Sequence, residues 1–136
     1  MGRQIIGLDT SIFAYVFNNH PEFERKAFAI LNRVQTGKRT GVFSGVGLIE
    51  LLTGIKKSGR VGHAIIYKEK IRAYPNLIIG GLDDSVIEIA SNLRAKYGLR
   101  TPDAIHLATA IAAGASVFYT NDKRLRMVKE ITVETL

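Results

Sequence analysis

The sequence contains no cysteine and only three histidines among its 136 residues. The lack of cysteine excludes a disulfide scaffold, a thiol nucleophile and any thiolate-bound zinc or iron–sulfur site. The histidines, His20, His63 and His106, lie far apart in the sequence, which argues against a zinc hydrolase. No apolar run approaches the roughly 18 residues that a membrane span needs, and the N-terminal apolar run is too short for a signal peptide. We therefore expect a cytoplasmic protein with no membrane partner.

The composition is that of one basic globular domain. Hydrophobic residues make up 46% of the chain, which is enough for a packed core, and the length predicts a single domain over residues 1–136. The formal net charge is +7, and residues 56–72 hold six basic residues against one acid. This segment could bind phosphates, face solvent, or contact an acidic protein. The basic residues that we expect along an RNA path are Lys56, Lys57, Arg60, Lys68, Lys70 and Arg72.

Short apolar runs alternate with helical patterns along the chain. The pattern predicts strands over residues 5–9, 40–44, 77–80, 116–119 and 131–133, with helices between them. Continuous apolar strands of this kind are typical of a mostly parallel sheet that helices cover on both faces. We expect Thr10 or Ser11 to cap the first helix and Ser44 to cap the helix over residues 46–57. A basic amphipathic helix is predicted to follow, ending near Ala73. Five aromatic residues are expected at core positions: Phe13, Tyr15, Phe17, Phe23 and Phe28.

Four acids stand at positions where a parallel sheet places a ligand site. Asp9 ends the first strand and Asp122 closely follows the fourth, so both belong to the carboxyl edge of the sheet. Each alone could equally be a turn former or a helix cap. Glu50 lies among large aliphatic residues, but the neighbours on its own helix face include Gly47 and Gly54, which predicts a shallow, open face. Asp103 opens a late helix, where the helix dipole alone could explain it.

Convergence of these acids would require a cation. Two like charges about 4 Å apart repel by about 4 kcal/mol at an effective dielectric constant of 20. A cluster of carboxylates therefore either holds protons at raised pKa or binds cations, and oxygen ligands without histidine or cysteine favour Mg²⁺ or Mn²⁺. His106, one turn after Asp103, is expected to be a core or surface histidine. The sequence has no paired Ser–His motif, so a metal-activated water is the predicted nucleophile.

Four segments resemble the motifs of PIN-domain nucleases, and among them the VapC-type toxins of toxin–antitoxin pairs. The segments occur in the order of that family and span nearly the whole chain. They are LDTS at residues 8–11, ELLTG at 50–54, TPDAIHLATA at 101–110 and TND at 120–122.

The resemblance implies a three-layer α/β/α sandwich around a mostly parallel sheet of four to five short strands. It also implies a metal-dependent endoribonuclease that acts on single-stranded or looped RNA with one or two Mg²⁺ or Mn²⁺ ions. Many relatives have a further acid two residues after the fourth; Arg124 stands there, so the resemblance does not fix the number of ions. The implied partners are a second copy of the chain, as in a homodimer, and an antitoxin. The family's acidic quartet falls on Asp9, Glu50, Asp103 and Asp122, its small hydroxyl on Thr10 or Ser11, and the polar residue of its last motif on Thr120.

Three alternatives remain at this stage. The same fold could serve as a non-catalytic RNA-binding or scaffolding module, although none of the four acids is missing. It could also be a nuclease outside any toxin–antitoxin pair. The third alternative is an aspartate-based phosphatase or a phospho-acceptor domain; the phosphatase would need a second acid two residues after Asp9, and Ser11 occupies that position.

Overall fold

The computed structural model describes residues 3–136, in which strands and helices alternate along the chain. The predicted domain also includes Met1 and Gly2, which lie outside the described residues. No helix within residues 3–136 is long and apolar enough to cross a membrane. The elements are β1 Ile5–Leu8, α1 Thr10–Phe17, α2 Glu24–Gln35, β2 Thr40–Ser44, α3 Gly45–Lys57, α4 Val61–Arg72, β3 Leu77–Gly80, α5 Asp84–Tyr97, α6 Thr101–Ala112, β4 Val117–Thr120, a short 3-10 helix Lys123–Met127, and β5 Thr132–Thr135.

The strands form one parallel sheet in the order β3-β2-β1-β4-β5. Alternate side chains along the strands enter two separate cores. Leu8 and Phe43 pack with α1 to α4, whereas Val42 and Phe118 pack with α5 and α6. Helices therefore cover both faces of the sheet, and the predicted α/β/α sandwich with a central parallel sheet of short strands is confirmed.

A glycine in β1 lets α6 lie directly on the centre of the sheet. A Cβ atom built on Gly7 would stand 2.5 Å from Cβ of Ala110 and 2.9 Å from the Phe118 ring. Any larger residue would push α6 outward. Because Asp103 and His106 are both on α6, this close contact also fixes their height above the sheet.

The helix starts agree with the sequence in part. Ser44 caps α3 as predicted, accepting a hydrogen bond of 2.9 Å from the Gly47 N–H. The expectation that Thr10 or Ser11 caps α1 is wrong, because the helix starts directly after the strand. Asp9 is the N-cap and accepts from the Thr10 N–H at 2.7 Å. α6 begins at Thr101, two residues earlier than predicted, because a proline such as Pro102 is tolerated in the first turn of a helix.

Two expectations about packing are corrected. α4 is basic, but its apolar residues do not share one buried face: Ala64 and Ile71 are buried, whereas Ile65 and Ile66 are exposed. The helix packs chiefly on α3 at the margin of the fold, which leaves its other faces in solvent. Among the five aromatic residues, Phe13 is buried and Phe28 is 54% exposed. Tyr15, Phe17 and Phe23 are half-buried.

Candidate active site

The candidate site lies at the carboxyl ends of β1 and β4. β1 is central in the sheet, with β2 on one side and β4 on the other, so the chain order changes direction between β1 and β4. Ligands of open parallel sheets bind in the crevice at such a switch point. The Asp9 N–H donates to the carbonyl oxygen of Tyr119 at 3.0 Å, which holds the two strand ends together.

Thr120 connects the acid after β1 with the segment after β4. Its hydroxyl donates to Oδ2 of Asp9 at 2.5 Å and accepts from the backbone N–H of Asp122 at 3.0 Å. The Thr120 side chain is fully buried. The buried hydroxyl therefore sets the relative position of the two segments that carry Asp9 and Asp122.

The Asp9 carboxyl has a raised pKa. Burial is the main cause, and the hydrogen bond from Thr120 only partly offsets it. The nearby negative charge of Asp103, at the start of α6, raises the pKa of Asp9 slightly further. A buried carboxyl under these conditions favours either a proton or a cation.

Glu50 reaches the same edge of the sheet from α3. Its Oε1 accepts a hydrogen bond from the Thr10 hydroxyl at 3.0 Å and lies 2.7 Å from Nε2 of His106. The side chain is 38% exposed, in keeping with the shallow face that its neighbours predicted. Thr10 follows Asp9 directly, so one residue joins the acid of β1 to the acid of α3.

His106 is the functional candidate that the sequence did not reveal. The sequence predicted a core or a surface histidine, and His106 is in the core, with 3% of its surface exposed. Both of its ring nitrogens have polar partners. Nδ1 lies 2.7 Å from the Ser44 hydroxyl and Nε2 lies against Glu50. Its position three residues after Asp103 in an apolar helix was the available signal, because a buried imidazole requires polar partners.

Each ring nitrogen of His106 faces a polar side chain. Nε2 lies against a carboxylate oxygen, which only accepts hydrogen bonds. The Ser44 hydroxyl at Nδ1 also accepts a hydrogen bond from the Gly47 N–H. The contact between Ser44 and His106 joins residues 62 positions apart, so no local motif in the sequence marks it. Ser44, His106 and Glu50 are nevertheless not a nucleophilic triad, since Ser44 is 2% exposed and caps a helix, out of reach of a substrate.

Two arginines pair with the remaining acids. Nε of Arg100 lies 3.3 Å from Asp103, and Arg124 contacts both carboxylate oxygens of Asp122, at 3.0 Å and 2.6 Å. The Arg124 hydrogen bond lowers the pKa of the Asp122 carboxyl. Both arginines are about 70% exposed, whereas their acids are mostly buried. Ion pairs on this kind of surface stabilise a protein by about 1 kcal/mol or less, so they break readily.

The carboxylates therefore lie at one edge of the sheet, but they do not form a preorganised set of metal ligands. Within residues 3–136, no three carboxylate, imidazole or thiol groups are grouped closely enough to hold a metal ion. Each acid instead contacts a hydroxyl, an imidazole or a guanidinium. These contacts are typical of carboxylates that are neutralised by local donors.

The other predicted site residues lie around this edge. Ser11 follows in the first turn of α1, and its hydroxyl is buried without a hydrogen-bond partner in the described part of the chain. Lys56, Lys57 and Arg60 are exposed at the end of α3 and just beyond it. Lys57 is seven residues from Glu50, which places both on one face of the helix.

The basic residues of α4 line two different cavities. Lys68 and Arg72 line a cavity with Ile49 and Leu82, and Lys70 lines a different one beside Tyr74. The RNA path over all six basic residues stays a prediction, and of the six only Lys56 and Lys57 share α3 with Glu50.

Known proteins resemble this chain in family and in fold. The model of the PIN domain family matches residues 6–131. No curated protein sequence matches the chain. The VapBC2 complex of Rickettsia felis, bound to a DNA fragment from its promoter, is 21% identical over 98% of this chain and 99% of that chain, with a TM-score of 0.76.

Two further structures have the same fold. DNA-bound VapBC from Salmonella typhimurium is 21% identical over 98% of both chains, with a TM-score of 0.73. VapC20 of Mycobacterium tuberculosis, a toxin that cleaves the sarcin–ricin loop, is 16% identical over 94% of this chain and 98% of that chain, with a TM-score of 0.71. At such identities the likeness shows the fold alone. The family model covers nearly the whole chain, and the protein belongs to the PIN-domain family.

Proposed function

We propose that this protein is a metal-dependent endoribonuclease that hydrolyses phosphodiester bonds of single-stranded or looped RNA. One observation carries the proposal. The strand ends of β1 and β4 hold Asp9, Thr120 and Asp122 in one hydrogen-bonded unit, and Thr10 joins Glu50 to that unit. The chain belongs to a family of nucleases, and its acids lie between the ends of β1 and β4, where parallel sheets bind ligands. Both facts favour phosphodiester hydrolysis.

The residues of the site fit a hard divalent cation, which prefers oxygen ligands. Every acid supplies oxygen, Asp9 is a buried carboxyl whose pKa is raised, and the arginines that face Asp103 and Asp122 are exposed and displaceable. Asp9, Asp103 and Asp122 would hold one or two Mg²⁺ or Mn²⁺ ions, with Glu50 binding directly or through water. A bound ion would supply an activated water and stabilise the negative charge on the phosphoryl oxygens.

The side chains of the protein itself have distinct tasks. Thr120 and the Thr10 N–H orient the Asp9 carboxylate, while the Thr10 hydroxyl and His106 orient Glu50. Lys56, Lys57 and Arg60 would contact RNA phosphates, whereas the hydroxyl of Ser11 is buried and out of direct reach of a substrate. No protein nucleophile is needed.

RNA cleavage by the purified protein tests the proposal. A labelled single-stranded RNA is incubated with Mn²⁺ or with excess EDTA, and the product ends are identified. We expect cleavage only with the metal, leaving 5′-phosphate and 3′-hydroxyl ends. Undiminished cleavage in EDTA would reject the metal-dependent mechanism.

A non-catalytic RNA-binding module is the second candidate. The pairing of each acid with a local donor, without a preorganised set of metal ligands, is the observation that favours it. Such a module would bind the same RNA with equal affinity in Mn²⁺ and in EDTA and would leave it intact.

We also propose that the protein is the toxin of a toxin–antitoxin pair, because two of the solved structures with its fold are VapBC complexes. A groove of 420 Å³ between α1, α2 and α4 offers aromatic and aliphatic walls to a partner. Co-expression with the product of the adjacent gene tests the pairing. We expect a stable complex in which RNA cleavage is inhibited, whereas an uninhibited enzyme would place the protein outside such a pair.

We propose a homodimer through the apolar surface formed by Ile49, Leu82 and Ile105. Two cavities, of 460 and 580 Å³, meet at Leu82 and Ile105. Ile49 and Leu82 are 64% and 56% exposed, and exposed aliphatic side chains around shared cavities are typical of protein interfaces. We expect Leu82→Glu to convert the dimer into a monomer in sedimentation measurements. A Phe28→Glu control removes an exposed ring elsewhere and should leave the dimer intact.

Removing the arginine beside Asp122 should tighten metal binding. Arg124→Gln frees both carboxylate oxygens of Asp122, so a cation no longer competes with a guanidinium. We expect a lower dissociation constant for Mn²⁺, by up to about fivefold, as an exposed ion pair of up to about 1 kcal/mol implies. Calorimetric titration of both proteins measures the change, and weaker Mn²⁺ binding in the variant would contradict this view of Arg124.

Neutralising the basic end of α3 should weaken RNA binding and flatten its salt dependence. The triple variant Lys56→Gln, Lys57→Gln, Arg60→Gln removes up to three phosphate contacts. The slope of log affinity against log salt should fall by up to about 2, because each contact with single-stranded nucleic acid contributes about 0.7. The matched control replaces three exposed basic residues of α2, Arg25, Lys26 and Arg33. An equal loss in the control would show that only net charge matters.

A further inference from the structure

A small cavity opens directly beside the pair formed by Thr10 and Glu50. It has a volume of about 150 Å³ and lies between α1 and α3, one face of each helix forming a wall. Thr10 and Glu50 themselves line its upper end, and their hydrogen bond of 3.0 Å closes that end. The cavity therefore begins where the proposed catalytic acids are and runs away from the sheet along the two helices.

The walls are apolar and the rim is polar. Apolar side chains of both helices form the interior, and an amide and a hydroxyl stand where the helices end. The exposed side chain of Asn18 makes no hydrogen bond within residues 3–136 and is free both to donate and to accept. The walls are formed by Ala14, Phe17, Leu51 and Ile55, and the rim is formed by Asn18 and Ser58.

Glycine keeps the cavity open. Gly54 lies one turn after Glu50 on the same face of α3, and a Cβ atom built on it would meet no atom within 4 Å. A glycine inside a helix destabilises it by up to about 1 kcal/mol relative to alanine. No backbone contact requires glycine at this position, so the open volume itself is the feature that a side chain would remove.

An aromatic ring and positive charge flank the cavity. The Arg60 guanidinium lies 4.9 Å from the centre of the Phe17 ring, and Tyr67 contacts the same ring edge-on at 4.8 Å. The Phe17 ring is thus held in place as a wall. Lys57, on the Glu50 face of α3, directly precedes Ser58, which lines the cavity.

We propose that this cavity is a subsite for a single-ring nucleobase, which is a pyrimidine, of the RNA next to the scissile phosphate. A cavity of about 150 Å³ accommodates one benzene-sized ring, whereas a purine has two fused rings. Apolar walls with one aromatic ring suit the faces of a base, Asn18 suits its polar edge, and Lys57 suits the following phosphate. The identity of the ligand rests on the function proposed above, whereas the cavity itself does not.

Cleavage mapping on a randomised single-stranded RNA tests the subsite. Cut positions in Mn²⁺ are sequenced for the native protein, for Gly54→Leu, which fills the cavity, and for Gly62→Leu. Gly62 is the matched control, because it is an exposed glycine of α4 whose Cβ would also meet nothing within 4 Å. Both substitutions improve helix propensity, so neither should unfold the protein.

We expect pyrimidine enrichment at one fixed position beside the cut for the native protein and for Gly62→Leu. Gly54→Leu should lose that enrichment and cleave pyrimidine-containing sites about tenfold or more slowly, in line with the contribution of base stacking. No base preference in the native protein, or an unchanged preference in Gly54→Leu, would overturn the proposal. A Gly54→Leu protein that cleaves normally but escapes its antitoxin would assign the cavity to the protein partner instead.

A binding measurement separates this proposal from the proposed function. The affinities of an oligouridylate and an oligoadenylate pentamer are compared by fluorescence anisotropy in EDTA, where no cleavage is expected. Tighter binding of oligouridylate that depends on Gly54 would support the subsite even if the protein cleaved no RNA. Equal affinities for the two pentamers would reject it even if the nuclease activity were demonstrated.

Discussion

Replacing Asp9 by asparagine should lower the rate of RNA cleavage by about 10³-fold, equivalent to about 4 kcal/mol of transition-state stabilisation. The amide has the shape of the carboxylate but lacks its charge. Its oxygen can still accept from the Thr10 N–H, whereas its NH₂ group replaces the oxygen that accepts from Thr120. The loss should come mainly from weakened cation binding, because the contact that caps α1 is retained. Steady-state cleavage in Mn²⁺ measures the effect, and full activity of the variant would reject the role of Asp9.

The same variant should be more stable than the native protein when no metal is present. Because burial raises the pKa of Asp9 in the folded state above its usual 3.8, the folded protein binds the proton more tightly than the unfolded chain does. The contribution of Asp9 to the free energy of unfolding is therefore greatest at a pH below its pKa in the unfolded chain. This contribution is lost as the pH rises through the higher pKa that Asp9 has in the folded protein. We expect Asp9→Asn to lack this loss, so its Tm advantage in EDTA should grow from pH 4 toward neutral pH. A lower Tm for the variant would contradict this and would leave its inactivity open to a folding explanation.

The second large effect is expected at His106, which touches Glu50 through one nitrogen and Ser44 through the other. Glutamine can place its side-chain amide near the position of Nε2, and asparagine can place its amide near that of Nδ1. His106→Gln should thus retain the hydrogen bond to Glu50, whereas His106→Asn should lose it. We expect His106→Asn to be about 10- to 100-fold less active, the range for residues that orient a metal ligand, and His106→Gln to be close to native.

The two variants are matched, because each removes a buried imidazole and retains one polar contact. Comparison of their cleavage rates with their Tm values separates orientation of Glu50 from packing. Equal activity of the two variants would show that the contact with Glu50 is unimportant. Ser44→Ala provides the opposite control, since it removes the contact at Nδ1 and a helix cap but leaves Nε2 beside Glu50.

The sequence was informative wherever a local pattern determines structure. Uninterrupted apolar strands predicted a parallel sheet, and the end of β2 at Ser44 predicted the cap of α3. The positions after the strands drew attention to Asp9 and Asp122 because the carboxyl edge of a parallel sheet is a recurrent ligand site. The small residues around Glu50 predicted an open face, and Gly54 lies at a cavity.

Contacts between distant parts of the chain could not be read in this way. The Ser44–His106–Glu50 chain joins three residues from two helices and a strand end, and no spacing in the sequence encodes it. The pairing of Asp122 with Arg124 depends on the tight start of the 3-10 helix, which brings side chains two residues apart into contact. The faces of α4 were mispredicted because a marginal helix with few packing partners need not bury its apolar residues.

Direct titration of Mn²⁺ into the protein is the most direct test of the central claim, that separate strands and helices build one cation site from Asp9, Asp103 and Asp122. The native protein should bind Mn²⁺, and each single Asp→Asn variant at these positions should bind it at least about tenfold more weakly. An Asp84→Asn variant, at the start of α5, serves as the control and should bind like the native protein. Equal Mn²⁺ affinity in the native protein and all three site variants would contradict the claim.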